Sequence, residues 1–252
     1  MNKIDYAFAS VPGPAHVANN LPNQDAVRIQ PFSFGYVFVV ADGMGSKKYS
    51  DIGSKAATKA VVEAVKDWYH KDSAPIHHII RLVHVLWGLY IEPYASNDCA
   101  TTCLFGVYLH NGTVILAQIG DGVIILHHQN ELHVLKEKGD EYYNETMPLH
   151  SAQTLNDWAI KQFNVGQDDF MLFLGTDGVA EDIIEERRAD YMQYLLDEIT
   201  KYRKQKRRNL CIKKKLKTWA NPNNTDDKSL IIFSRKVIKD VDSRGDNAGV
   251  FN

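Results

Sequence analysis

Four short acidic stretches, spread over most of the chain, carry the residues best suited to chemistry. They are residues 23–26 (NQDA), 41–45 (ADGMG), 175–179 (GTDGV) and 225–229 (TDDKS). Three of them adjoin apolar, β-branched and aromatic runs that are typical of buried strands, at residues 36–40, 170–174 and 230–233. A carboxylate at the end of a buried strand is costly unless a cation or hydrogen bonds compensate it. The arrangement therefore predicts one shared site, and oxygen ligands of this kind suit Mg²⁺ or Mn²⁺.

The elements that must position these stretches change from strands to helices and back along the chain. The residues expected in strands are 4–11, 26–30, 35–41, 101–110, 113–117, 123–127, 132–136, 170–176 and 229–233. Helices are expected from about residue 50, from about residue 75, and over one long stretch at 181–219. Residues 139–167 have weak periodicity, which predicts a mobile flap or short helices. This order indicates an α+β fold rather than a repeated parallel βαβ unit.

The composition of the 252-residue chain is ordinary for a soluble globule, with 44% hydrophobic and 24% charged residues. A net charge of −2 predicts no general attraction to nucleic acid or to a membrane. The three cysteines, Cys99, Cys103 and Cys211, argue against a disulfide framework and for a reducing compartment. Because the sequence also lacks a signal-peptide pattern and a long uninterrupted apolar run, we expect a cytoplasmic protein.

Taken in order, the four acidic stretches resemble the motifs of the type 2C, metal-dependent family of protein serine/threonine phosphatases. The resemblance is greatest to the small bacterial members, and residues 141–146 (EYYNET) are similar to a segment of a bacterial subgroup. Residues 100–102 (ATT) precede an apolar strand, and residues 119–122 (IGDG) resemble the family's Gly-Asp turn. One Asp-Gly pair alone usually marks a turn. Six motifs in the family's order, covering almost the whole chain, are a specific signal.

The resemblance implies both a fold and a reaction. The fold is a four-layer α/β/β/α sandwich with two mainly antiparallel sheets flanked by helices, and the metal cluster lies at one edge. The reaction is hydrolysis of phosphoserine or phosphothreonine by attack of a metal-bridging hydroxide. Phosphorylated proteins are then the substrates, and a cognate serine/threonine kinase is an expected partner. We expect residues 1–235 to form a single phosphatase-like domain and residues 236–252 to form a flexible C-terminal tail.

The same resemblance assigns ligands to two Mn²⁺ or Mg²⁺ ions. Asp42 corresponds to the bridging carboxylate, and the carbonyl of Gly43 is a further ligand. Asp177 and Asp226 correspond to ligands of the second metal. Asp25 corresponds to a residue that acts mostly through water in the shell of the first metal. Asp42 and Asp177 are therefore the predicted catalytic residues.

A third metal site is common in bacterial relatives, and Asp121, Asp177 and Glu181 match its positions. Glu181 lies four residues after Asp177. A turn aspartate together with a glutamate in the first turn of a helix would give the same pattern without a metal, because the helix dipole favours an acidic residue there. Both interpretations stay open at this point.

The sequence departs from the family pattern at the substrate phosphate. Many members carry an arginine five residues before the position of Asp25, where it grips the phosphate, but this chain has Asn20. His16 lies nearby and is a candidate for phosphate binding, although a lone histidine in a loop is often structural. Lys47 and Lys48, just past the second acidic stretch, are further candidates or simply a solvated pair.

Two other classes of function remain. The first is a catalytically weak regulatory module that keeps the phosphatase fold and binds phosphoproteins, which the missing arginine at Asn20 would favour. The second is a metal-dependent nuclease, which would use the ten basic residues between 201 and 217. That basic stretch otherwise predicts a long exposed helix with an inward face, formed by Leu210, Ile212, Leu216 and Trp219. The net charge of −2 makes a nucleic-acid partner the weaker hypothesis.

Overall fold

The computed structural model describes residues 2–71, 74–135, 146–152 and 154–238. The strands are β1 (Asn2–Val11), β2 (Ala26–Phe32), β3 (Gly35–Ala41), β4 (Cys103–Leu109), β5 (Thr113–Ile119), β6 (Val123–His128), β7 (Glu131–Leu135), β8 (Ala159–Asn164), β9 (Phe170–Gly175) and β10 (Lys228–Val237). The helices are α1 (Pro14–Ala18), α2 (Ser50–Tyr69), α3 (His77–Ile91), α4 (Asp177–Ala180), α5 (Arg188–Thr200) and α6 (Gln205–Lys217). Short 3₁₀ helices cover Ser96–Cys99, Leu149–Ser151, Leu155–Asp157 and Glu185–Arg187.

The strands form two five-stranded sheets in which neighbouring strands run antiparallel. Sheet I has the order β1-β10-β9-β6-β7, and sheet II has the order β2-β3-β4-β5-β8. The chain passes from sheet II to sheet I between β5 and β6, through a turn at residues 120–122. This crossing places one of the predicted motifs at the rim where the two sheets meet.

Strand β3 shows why the sheets stack face to face. Its residues alternate between two hydrophobic clusters, because successive side chains of a strand point to opposite faces. Val37 and Val39 pack in the cluster that includes α2 and α3. Phe38 and Val40 pack in the cluster between the sheets, together with Phe233 of β10. Both faces of this strand are therefore buried, which explains its uninterrupted apolar sequence.

The outer face of sheet I is covered by α5 and α6. Phe173 and Ile232 of the sheet pack against Leu195, Ile199 and Leu216 of these helices. Across the described ranges, no helix combines the length and the apolar content needed to cross a bilayer. With α2 and α3 on the outer face of sheet II, the layers follow the order helix, sheet, sheet, helix. The four-layer α+β fold predicted from the sequence is confirmed.

The prediction of one long helix over residues 181–219 is wrong. Helix α5 ends at Thr200 and α6 begins at Gln205. The break lets α6 change direction and pack along the edge of β1, a tertiary contact that local helix propensity does not reveal. The predicted inward face of α6 is also only partly right, because Ile212 and Leu216 are buried whereas Leu210 is 55% exposed.

The prediction of a flap or short helices at residues 139–167 missed β8. This strand forms the edge of sheet II beside β5, and its Lys161 and Gln162 are exposed. Because successive side chains point to opposite faces, both faces of this edge strand are partly solvated, and it lacks the apolar run that marks a buried strand. Residues 139–145 and 153 of the predicted flap, and residues 239–252 of the predicted tail, lie outside the described residues.

Side chains of helix α6 provide hydrogen-bond partners for backbone groups at the free edge of β1. The side-chain oxygen of Asn209 accepts a hydrogen bond from the Phe8 backbone N–H at 3.3 Å, and Gln205 donates to the Tyr6 carbonyl at 3.0 Å. Beside them, Nη2 of Arg208 lies 2.7 Å from Oδ1 of Asp5, and the Asp5 side chain is only 3% exposed. This nearly buried ion pair joins the N-terminal strand to the last helix.

We expect Arg208→Met to lower the free energy of unfolding by roughly 2–3 kcal/mol, because removing one partner leaves a buried carboxylate poorly compensated. The measurement is urea unfolding followed by circular dichroism. Arg207→Met is the matched control, since Arg207 is exposed on the same helix and should cost less than about 0.5 kcal/mol. Equal losses in the two variants would contradict a stabilising role for the pair with Asp5.

Candidate metal centre

Strand register brings the acidic stretches to one rim of the sandwich. In sheet II, Ala26 at the start of β2 lies opposite Ala41 at the end of β3. Asp25 and Asp42, which flank this pair, therefore leave the sheet side by side. In sheet I, the end of β9 lies beside the beginnings of β6 and β10. The third and fourth acidic stretches thus meet the 120–122 turn at the same rim.

Three carboxylates converge at this rim. Asp42, Asp121 and Asp177 each offer one oxygen atom, and these three atoms lie within 4.8 Å of one another. Asp42 follows a strand of sheet II, Asp177 follows a strand of sheet I, and Asp121 lies on the turn between the sheets. All three donors are hard oxygen atoms, which is the ligand type that Mg²⁺ and Mn²⁺ prefer.

The loop that carries Asp42 is held by two threonines. The hydroxyl of Thr102 accepts a hydrogen bond from the Asp42 backbone N–H at 2.9 Å, and the Thr101 hydroxyl donates to the Asp42 carbonyl at 2.7 Å. A side chain at Gly43 would bring its Cβ within 2.6 Å of the Ser50 carbonyl oxygen. Close backbone packing therefore explains why a glycine follows Asp42. The threonine hydrogen bonds explain why this Asp-Gly loop depends on the ATT motif, which lies sixty residues later in the chain.

The turn that carries Asp121 depends on its two flanking glycines. Gly120 and Gly122 have φ values of 83° and 94°, a region that other residues adopt only with strain. The Asp121 carboxylate accepts a hydrogen bond from the Thr146 hydroxyl at 2.6 Å. Backbone and side chain together orient this carboxylate toward the other two.

Burial and mutual repulsion make the cluster electrostatically costly. Burial, augmented by the charge of Asp227, raises the pKa of Asp25 to about 8 despite a hydrogen bond from Thr176. Burial also raises the pKa of Asp42 well above its usual value, and the charges of Asp25 and Asp177 add to this effect. The pKa of Asp177 is raised by burial first and then by its acidic neighbours. A bound cation would relieve all of these shifts.

Asp25 provides a further sign that a cation fits. Its Oδ2 accepts a hydrogen bond from the Thr176 hydroxyl at 2.9 Å, and that hydroxyl in turn accepts one from the Ser229 backbone N–H at 3.1 Å. Its Oδ1 is buried and has no hydrogen-bond partner among the described residues. An orphaned, buried carboxylate oxygen beside three convergent carboxylates is what a cation, or a water in its shell, would satisfy.

Asp226 lies at the open side of the cluster. Its carboxylate is exposed, and Oδ1 accepts a hydrogen bond from the Asp227 backbone N–H at 2.8 Å. Its charge adds to the effect of burial in raising the pKa of Asp177. The negative charge of Asp226 therefore acts on Asp177 from the same rim.

Glu181 occupies a different place from the other predicted third-site residues. Its backbone N–H donates to the Asp177 carbonyl at 3.1 Å, and its side chain lines a cavity of about 430 Å³ together with His16 and Asp226. In the described part of the chain, the carboxylate grouped with Asp121 and Asp177 is that of Asp42 rather than Glu181.

His16 contacts the centre through Asp227. Its Nδ1 lies 2.8 Å from Oδ1 of Asp227, and the same carboxylate accepts hydrogen bonds from the backbone N–H groups of Gly13, at 2.7 Å, and Gln24, at 2.6 Å. Because the carboxylate accepts, Nδ1 carries the proton, and Nε2 is the ring atom left for a substrate. The sequence did not point to Asp227, because Asp226 of the same motif was already assigned as the metal ligand.

The other candidates for phosphate binding contact residues outside the group of three carboxylates. Lys47 donates to the Asn97 side chain at 2.9 Å, and the Lys48 ammonium lies 4.9 Å from the centre of the Tyr49 ring. Asn20 has a positive φ of 53° in the exposed segment after α1. None of these three residues forms an ion pair with an acidic residue of the rim among the described residues.

Lys228 is a buried cation beside the site that sequence analysis also overlooked. Its ammonium donates to the carbonyl of Asp226 at 2.8 Å and to the side chain and carbonyl of Asn224 at 2.8 and 3.0 Å. Burial lowers its pKa, and the charges of Asp226 and Asp182 oppose this change. The signal was available, since a lysine directly after two aspartates and before a buried strand must find acceptors.

Comparison with known proteins adds a family to this geometry. A protein-family model described as "Protein phosphatase 2C" matches residues 12–220. This range includes every motif of the rim except the fourth acidic stretch. No curated protein sequence matches the chain significantly.

Solved structures share the fold at low sequence identity. The catalytic domain of the serine/threonine protein phosphatase PstP, in complex with two manganese ions, is 14% identical, with a TM-score of 0.60 over 94% of this chain and 100% of that one. RsbX in complex with magnesium is 13% identical, with a TM-score of 0.60 over 94% and 100%. The phosphatase domain of SpoIIE from Bacillus subtilis is 9% identical, with a TM-score of 0.52 over 100% and 97%. These likenesses concern the fold alone.

The raised pKa of Asp25 predicts how stability depends on pH without metal. A carboxyl group with a pKa of about 8 when folded and 3.8 when unfolded keeps its proton only in the folded state between these values. Metal-free protein should therefore lose stability as pH rises from 5.5 to 8, and Mn²⁺ should restore it. The measurement is the melting temperature in EDTA across this range.

Asp25→Asn isolates the contribution of this one carboxyl group. The variant should have a flatter profile than the wild type in EDTA, and Asp190→Asn, an exposed control, should keep the wild-type slope. If Asp25→Asn and wild type lose stability equally, the buried carboxyl group does not carry the pH dependence.

Proposed function

The chain belongs to the protein phosphatase 2C family, and from this premise we propose that it hydrolyses phosphoserine and phosphothreonine in proteins with Mn²⁺ or Mg²⁺. The family predicted from the sequence motifs is confirmed, and the chain is a metal-dependent phosphatase. The choice of metal and of phosphorylated residue is the finer part of the proposal. It is supported by PstP, a serine/threonine phosphatase solved with manganese, and by RsbX, solved with magnesium.

The observation that carries the proposal is the convergence of Asp42, Asp121 and Asp177 within 4.8 Å. We assign Asp42, the Gly43 carbonyl, Asp177 and Asp226 as ligands of two metal ions, in agreement with the sequence motifs. The position of Asp121 beside Asp42 and Asp177 supports its role in a third site, to which Glu181 would contribute from the neighbouring cavity. When bound, such ions lower the pKa of the attacking water and neutralise charge on the phosphoryl oxygens.

Residues of the chain itself set the geometry that this chemistry needs. Thr101 and Thr102 fix the backbone of Asp42, so its carboxylate enters the site in one orientation. Thr176 holds Asp25 and leaves its second oxygen free for the water shell of a metal. Met44, next to the metal-binding loop, carries no proton to donate to the leaving alcohol. The proton for the leaving alcohol must therefore come from another group.

We assign His16 to the substrate phosphate, with Nε2 as the contacting atom. The absence of an arginine at Asn20 leaves this role open, and His16 lines the cavity that Asp226 and Glu181 share. Asp227 orients the ring through Nδ1. The alternative of a catalytically weak regulatory module that binds phosphoproteins gains no support, since the described residues retain the acidic cluster.

Asp177→Asn should lower kcat for metal-dependent hydrolysis of p-nitrophenyl phosphate by roughly 10³-fold or more. Loss of a metal ligand removes several kcal/mol of transition-state stabilisation, and each 1.36 kcal/mol corresponds to a factor of ten. Asp190→Asn is the control and should match the wild type. Near-native activity of Asp177→Asn, with its fold verified by circular dichroism, would refute the assigned centre.

The role of His16 can be separated from that of its partner. His16→Asn keeps a donor near the position of Nδ1, so it can still contact Asp227, but it removes Nε2. His16→Ala removes both. If Nε2 binds phosphate, the two variants should raise KM for a phosphopeptide alike, by about tenfold for the loss of one charged hydrogen bond. If His16 serves only to position Asp227, His16→Asn should restore wild-type KM.

A further inference from the structure

A groove of about 440 Å³ lies between α1 and the C-terminal end of α6. One wall carries Val17, which is 61% exposed, and the segment before it. The opposite wall carries Leu216, Trp219 and two lysines, Lys213 and Lys217. Apolar and cationic groups therefore face one another across a cleft that is open to solvent.

The two lysines have no acidic partner among the described residues, where no carboxylate oxygen lies within 4.0 Å of either ammonium group. They are exposed and four residues apart, which places them on one face of α6. Two other basic residues of the helix are paired, since Lys215 lies 2.9 Å from Glu198 and Arg208 lies 2.7 Å from Asp5. The positive charge of the groove is thus available to an external anion.

The apolar wall is held in place by hydrogen bonds. The indole N–H of Trp219 donates to Oδ2 of Asp182 at 2.6 Å, and Asn221 and Asn224 donate to the same carboxylate at 2.6 Å each. Asp182 directly follows Glu181 and lies just after the end of α4 (Asp177–Ala180). The carboxylate therefore links the groove wall to the segment that carries Asp177.

The groove adjoins the cavity beside the metal centre. The cavity that contains His16, Glu181 and Asp226 shares Asn221 and Asn224 with the groove. The α1 side of both is fixed to the fourth acidic stretch, because the Ala15 backbone N–H donates to the Thr225 carbonyl at 3.2 Å. A chain that leaves the metal centre along this path passes polar groups first and then the apolar, basic groove.

We propose that this groove binds a segment of the phosphoprotein substrate that carries an apolar side chain flanked by acidic residues. The inference rests on the proposed function, since the phosphorylated residue occupies the metal centre at the same time. The apolar side chain packs between Val17 and Trp219, and the acidic residues meet Lys213 and Lys217. The charge of the two lysines favours this partner over a second copy of the same basic helix.

The test uses two matched series of phosphoserine peptides. One series carries an Asp-Leu-Glu segment at different distances on either side of the phosphoserine. The other series carries Asn-Ser-Gln at the same positions. At the spacing that reaches the groove, the acidic and apolar segment should improve kcat/KM by roughly tenfold, the effect of two surface ion pairs and one buried side chain. Lys213→Gln/Lys217→Gln should reduce this preference by removing its ionic part, and Val17→Ser should reduce it by removing part of the apolar contact.

Arg207→Gln/Lys214→Gln is the matched control. It removes the same charge from the same helix with residues outside the groove lining, and it should keep the wild-type preference. The inference is overturned if no spacing gives a preference, or if the control variant loses it equally. It is also overturned if duplex DNA binds the wild type but not Lys213→Gln/Lys217→Gln while the peptides show no preference.

Hydrolysis of p-nitrophenyl phosphate separates this inference from the proposed function. If the wild type hydrolyses this ester with Mn²⁺ but shows no peptide preference, the groove proposal fails and the phosphatase assignment stands. If the wild type hydrolyses neither the ester nor the peptides with either metal, both proposals fail.

Discussion

Mutual repulsion between buried carboxylates is the constraint on which the rest of the structure depends. Asp25, Asp42 and Asp177 all have raised pKa values, with burial as the main cause and the charge of neighbouring carboxylates added to it. Left to themselves, these groups would move apart or keep their protons. The fold prevents their separation by placing them at strand ends whose positions are fixed by sheet register. The free energy stored in this arrangement is recovered when cations bind, so affinity for metal and strain in the metal-free state have the same origin.

Neutral hydroxyl groups supply the rigidity that such a centre needs. Thr101, Thr102, Thr146 and Thr176 each bond to an aspartate of the rim, through backbone or carboxylate. A hydroxyl can donate or accept and adds no charge, so it fixes an acidic loop without competing with a metal for it. The bond from Thr176 in sheet I to Asp25 in sheet II also ties the two sheets together at the rim. The threonines thereby control the orientation of the acidic loops, whereas the aspartates control the affinity for metal.

The parts that sequence predicted best are those in which local pattern and tertiary role coincide. Apolar runs ending in Asp-Gly identified β3 and β9 and placed Asp42 and Asp177 correctly at the rim, because burial on both faces leaves an unmistakable pattern. Strand β8 escaped because its partly solvated edge has mixed polarity. The break between α5 and α6 escaped because its cause, the contact with β1, lies about two hundred residues away. Asp227 escaped because its hydrogen-bond partners Gly13, His16 and Gln24 lie about two hundred residues away in the sequence, whereas the partners of Lys228 are local and its signal was present but unused.

The position of β1 has a consequence for how the molecule is made. Both of its neighbours, strand β10 and helix α6, come from the last quarter of the chain. During synthesis this ten-residue strand therefore emerges long before β10 and α6, and it stays unpaired until those elements have been translated. Contacts at such sequence separation slow folding, because a long loop must close before they form. Of the described strands, the earliest in the chain thus depends on the latest for its pairing.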